Sequence, residues 1–83
     1  MENYTLDKVQ LSECVIIKSI ECEKELADRI INLGLVKNSV VKPLFKSPFG
    51  DPTAFLVKNT IVALRNKDCK NIIVSPISDN MEE

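Results

Sequence analysis

The chain of 83 residues contains no histidine and no tryptophan. Without histidine there is no Ser-His-Asp or Cys-His nucleophile system, and the commonest metal ligand is missing. Glycine is scarce too: Gly34 and Gly50 stand far apart. A Walker phosphate loop or a dinucleotide fingerprint needs several glycines close together, so both are excluded. Apolar runs are short, as in Val15-Ile16-Ile17. A membrane-spanning helix needs ~20 apolar residues. The polar start Met1-Glu2-Asn3-Tyr4 has no basic segment leading into an apolar one. No signal peptide is expected from it, and the expected compartment is the cytoplasm.

Cysteine is present three times, as Cys14, Cys22 and Cys69, with no C-x-x-C pair. An odd count in a chain without an export signal argues against a disulfide framework. A structural zinc site needs four ligands, usually in paired spacing, and that pattern is missing. The cysteines are therefore expected to be small buried or half-buried apolar groups. The sharper reading is a soft-metal site in which Glu21 and Glu23 assist Cys22. Neighbouring anions raise a thiol's pKa, which weighs against it.

What is abundant is β-branched. Valine occurs 8 times and isoleucine 9 times, against 3 alanines. Such residues favour half-buried strands, and scarce alanine disfavours an all-helical chain. Strands are predicted at 14–19, 39–46, 54–58, 61–65 and 71–74. Residues 5–9 read as one helical turn with Thr5 as N-cap. One helix is predicted over 23–33, where Leu26, Ala27, Ile30, Ile31 and Leu33 repeat at helical spacing. Leu26, Ile30 and Leu33 are expected in the core. Glu25 and Arg29 form an i,i+4 pair, and Gly34 suits the left-handed C′ position, with Leu35 folding back. Lys58-Asn59 suits a tight hairpin turn. Asn66 is expected to cap a short helical turn near 66–70. Pro48 and Pro52 mark 47–52 as a loop. Five short strands around one helix must close on themselves or leave bare edges, so a small barrel is expected. The expected organisation is one domain over 1–75 and a flexible tail over 76–83.

Three segments resemble the ferrous iron transport protein A (FeoA) family. Leu26-Ala27-Asp28-Arg29-Ile30-Ile31-Asn32-Leu33-Gly34-Leu35 is similar to its helix and Leu-Gly-Leu exit. Ser47-Pro48-Phe49-Gly50-Asp51-Pro52 is similar to its Pro-x-Gly-Asp-Pro loop, and Val62-Ala63-Leu64-Arg65 to its Ala-Leu-Arg strand. The likeness spans about residues 5–74 with the right order and gaps. It implies an SH3-like barrel, mainly β, of about five antiparallel strands with the helix packed across it. It also implies a small cytosolic accessory of a membrane ferrous iron permease that carries a GTPase domain (FeoB-type). Such an accessory would be peripheral to the inner membrane through that partner. The same barrel occurs in iron-dependent repressors, so a metal-sensing regulatory domain is the alternative. Two departures stand out: Lys37-Asn38 and Leu11-Ser12 replace Pro-Gly pairs of the family.

The family brings no catalytic residues, and no enzyme is expected. No cofactor is required, with weak Fe²⁺ binding as the open alternative. The net charge of −1 hides a polarity. Residues 1–34 carry −3, 35–70 carry +5 and 71–83 carry −3. The basic middle is either a solvated strand surface, protected by its lysines, or a steering face for an acidic partner. On the second reading Lys42, Lys46, Lys58 and Arg65 carry it. Phe49, at a loop tip, is expected to fold back over the barrel end; exposed, it would anchor a partner. Four aromatics and a pI near 5.4 argue against nucleic acid.

Overall fold

A computed structural model of the chain describes residues 3–77. Six strands make one antiparallel sheet: β1 (Tyr4–Thr5), β2 (Val15–Ile20), β3 (Val40–Lys46), β4 (Thr53–Val57), β5 (Thr60–Leu64) and β6 (Ile72–Pro76). Their order across the sheet is β1-β6-β2-β3-β4-β5. Helix α1 (Lys24–Asn32) follows β2, and the short helix α2 (Asn66–Cys69) follows β5. Leu6–Lys8 forms a 3-10 turn after β1 and packs against α2.

Alternation builds the core. Val15, Ile17, Val41, Phe55, Val57, Val62, Leu64, Ile72 and Val74 all turn inward and are buried. Strand side chains alternate between faces, so the same residues fix the register. Helix α1 adds Ile30, with Leu26 half-buried beside it. Leu33 leaves the predicted core stripe and is 44% exposed. It stands at the C-cap, and Leu35, two residues on, takes the buried place behind the helix end.

The helix ends as its sequence predicts. Gly34 has φ 103°. Its N–H bonds the Ile31 carbonyl at 2.9 Å, and the Leu35 N–H bonds the Ile30 carbonyl at 3.3 Å. This double closure is the Schellman motif, and Leu35 is fully buried behind it. Lys58 and Asn59, with φ 50° and 66°, form the two-residue hairpin turn between β4 and β5.

Several expectations need correction. The sheet has six strands, since Tyr4 and Thr5 pair with Val74 and Ile73. The last strand runs to Pro76, past the predicted end at 74, so Pro76 is not part of a tail. The rest of the expected tail, beyond Ile77, lies outside the described residues. Thr5 flanks the 3-10 turn, but its hydroxyl bonds the Asp7 carboxylate and caps no N–H. Asn66 is the first residue of α2 rather than its cap. The single ion pair among the described residues is Lys24–Asp28, at 3.2 Å, and not Glu25–Arg29.

Pro43 sits inside a central strand, where proline removes a ladder donor. Pairing of β2 with β3 involves only Val15–Val41 and Ile16–Val40, so Pro43 lies past it. A bulge between Pro43 and Phe45 breaks the β3–β4 register there. The freed Pro43 carbonyl accepts the Ser12 N–H at 2.8 Å.

Candidate functional site

The β3–β4–β5 sheet shows two rows on its outer face. Lys42, Leu56 and Ile61 are paired across the three strands, and so are Phe45, Ala54 and Ala63. Inward residues Phe55, Val57, Val62 and Leu64 alternate with them, which forces these rows outward. Phe45 is 57% and Ile61 59% exposed. Phe45 reaches this face because the bulge after Pro43 shifts the alternation. Neither Phe45 nor Ile61 stands out in the charge pattern of the sequence. A period-two reading of Ile61-Val62-Ala63-Leu64 would have found Ile61; the bulge has no comparable signature.

The predicted basic residues do not form one cluster. Lys42 lies in the middle of the outer face and Lys58 at the hairpin tip. Lys46 ends β3, and Arg65 follows β5 at the opposite end of the hairpin. Arg65 instead lines an open groove of about 990 Å³ between α1 and α2, with Arg29, Lys67, Glu23, Asp51 and Asp68. A smaller, apolar groove of about 330 Å³ lies on the other flank of α1, floored by Ile20, Ala27, Ile31 and Val36 between Lys18 and Lys37. Barrel and helix thus leave a groove on each side.

Phe49 does not fold back over the barrel. It is 95% exposed. The Gly50 N–H bonds the Ser47 carbonyl at 2.8 Å, and the Asp51 N–H bonds the Ser47 hydroxyl oxygen at 3.1 Å. This tight turn presents its third residue, Phe49, to solvent. Asp51 reaches from the same loop to α2, where its carboxylate accepts the Asn66 N–H at 2.9 Å.

Cys14 and Cys22 are half-buried and Cys69 is buried. Burial, with help from Glu23 and Asp68, pushes the Cys22 thiol up. Burial pushes Cys69 up to about 12, reinforced by Asp7, Asp68 and Asp51. Metal binding needs the thiolate. The Ser19 hydroxyl donates a hydrogen bond to the Glu21 carboxylate at 2.9 Å. Glu21, Cys22 and Glu23 do not make a donor set, and among the described residues no three His, Cys, Asp or Glu side chains gather to hold a metal ion. Among the same residues, no helix is long and apolar enough to cross a membrane.

The FeoA domain family matches residues 4–76. No curated protein matches the chain. Among solved structures, the FeoA-like protein of Clostridium acetobutylicum is 24% identical, with a TM-score of 0.85 over 100% of this chain and 93% of that one. FeoA of Stenotrophomonas maltophilia, solved with zinc and described as an SH3 domain protein, is 29% identical. It has a TM-score of 0.75 over 86% of this chain and 88% of that one. A manganese-dependent transcriptional repressor is 13% identical, with a TM-score of 0.80 over 89% of this chain and 41% of its own. That likeness is one of fold.

Proposed function

Because the chain belongs to the FeoA family, we propose that it serves ferrous iron uptake as a non-enzymatic interaction module on the cytosolic GTPase/permease partner. The observation that carries this reading is the outer face of β3–β4–β5. Phe45 and Ile61 are more than half exposed there, with Lys42 in the same face. Two large apolar side chains exposed on one sheet face beside a lysine mark a candidate protein contact surface. Lys42, Lys46 and Lys58 add a positive field that would steer an acidic partner.

The metal-sensing alternative draws on the shared fold of the manganese-dependent repressor. The raised Cys22 thiol weighs against it, and among the described residues no three ligating side chains gather to hold a metal ion. The module requires no cofactor and localises through its partner. The test is a pull-down of the permease's cytosolic domain at low salt. Wild type should retain it, and the pair Lys42→Glu and Lys46→Glu should lose most of it. No retention by wild type would end this reading.

A further inference from the structure

The sheet has two edges, and they are protected unequally. At one edge β1 is only two residues long. Short edge strands cannot template another chain. At the other edge β5 runs five residues, Thr60-Ile61-Val62-Ala63-Leu64, with no charge, no proline and an unbroken register against β4. None of the usual edge protections is present within it.

The hairpin turn decides which backbone groups β5 leaves open. A two-residue turn makes Val57–Thr60 a hydrogen-bonded pair. Bonded and non-bonded pairs then alternate, so Val62 and Leu64 bond β4 while Ile61 and Ala63 point N–H and C=O outward. Among the described residues, no loop or side chain hydrogen-bonds to these two. Both residues are exposed. Cations stand at both ends: Lys58 before the strand, Arg65 and Lys67 after it.

We propose that β5 is a strand-addition site that takes an extended segment of the partner, apolar at alternate positions and acidic at both ends. The proposal rests on the interaction reading and names its contact. Such a segment makes up to four main-chain hydrogen bonds with Ile61 and Ala63. Its apolar side chains extend the row of Ile61 and Leu56, and its carboxylates meet Lys58 and Arg65. Charge disfavours a second copy as occupant. Antiparallel self-pairing about Val62 would crowd Lys58 of one copy against Arg65 and Lys67 of the other.

The test is amide hydrogen exchange by NMR on the full chain. The probes are the permease's cytosolic domain and a synthetic peptide of alternating Val and Thr with Glu at both ends. With the peptide at ten times its Kd, the Ile61 and Ala63 amides should exchange about tenfold slower. Val62 and Leu64 should already be protected without it. Ala63→Pro, which deletes the outward N–H at 63 and fixes φ there, should abolish the protection read at Ile61. The joint change Lys58→Glu and Arg65→Glu should weaken peptide binding about tenfold at low salt. Partner binding that leaves Ile61 and Ala63 unprotected would overturn the edge proposal and keep the interaction reading. Peptide protection without any binding of the cytosolic domain would support the edge and overturn the reading. Protection that rises with protein concentration alone would identify a second copy and overturn the proposal.

Discussion

The Asp51 carboxylate accepts a 2.9 Å hydrogen bond from the Asn66 backbone N–H. The contact ties the Pro-x-Gly-Asp-Pro loop to the segment that follows Ala63-Leu64-Arg65. It satisfies a free donor at the start of α2, as a capping side chain does. Helix α2 in turn carries Cys69 into the core and packs on the 3-10 turn.

Asp51→Ala should therefore lower stability by about 1 kcal/mol, and Asp51→Asn by less, since the amide oxygen still accepts. Urea denaturation of the two variants checks the order. Equal losses would mean that the acceptor is not what matters.

The left-handed positions were legible to different degrees. Gly34 and the Lys58-Asn59 turn are local signals, and the structure agrees with both. Asn38 adopts left-handed geometry too, at φ 74°, which asparagine tolerates better than most residues. The contribution of Asp51 was not legible, because its partner is fifteen residues away and only the folded sheet brings them together. Strand β1 was missed for the same reason: two residues carry no periodicity, and their pairing with Ile73 and Val74 defines them. The outward aim of Phe49 depends on the turn geometry around Ser47, which residue types alone leave open.

Ser12 holds φ 72°, in the left-handed region that favours glycine. A left-handed residue other than glycine costs roughly 1–2 kcal/mol, less for asparagine. Ser12→Gly should stabilise the chain by ~0.5–1 kcal/mol after the added chain entropy is deducted. Asn38→Gly should stay within ~0.5 kcal/mol of wild type. Gly34→Ala should destabilise by ~1–2 kcal/mol. An added Cβ there would sit 3.9 Å from Val57, an ordinary contact, so the cost is in the backbone. Thermal denaturation of the three variants tests the ranking.

Cys69 predicts a loss of stability in alkali. Its thiol goes from 9.0 up to about 12 on folding, chiefly by burial. Below pH 9 both states hold the proton and the group adds no slope. Between about pH 9 and 12 the unfolded chain releases it while the folded chain keeps it. Stability then falls by up to ~1.4 kcal/mol per pH unit. Urea midpoints measured from pH 8 to 11 should fall more steeply for wild type than for Cys69→Ala. Parallel curves would refute the assignment.

Phe49 separates folding from recognition. At 95% exposure it contributes little to the core. Phe49→Ala should change stability by less than ~0.5 kcal/mol. The same variant should weaken partner association, since exposed aromatic rings anchor interfaces. Paired melting and pull-down experiments read the two effects independently.

The most direct measurement is a calorimetric titration of this chain into the cytosolic domain of a ferrous iron permease, at low and at high salt. Saturable binding that weakens as salt rises is expected. Lys42→Glu with Lys46→Glu should remove most of the low-salt affinity. No binding at tens of micromolar in low salt, or an affinity indifferent to both salt and charge reversal, would contradict the interaction reading.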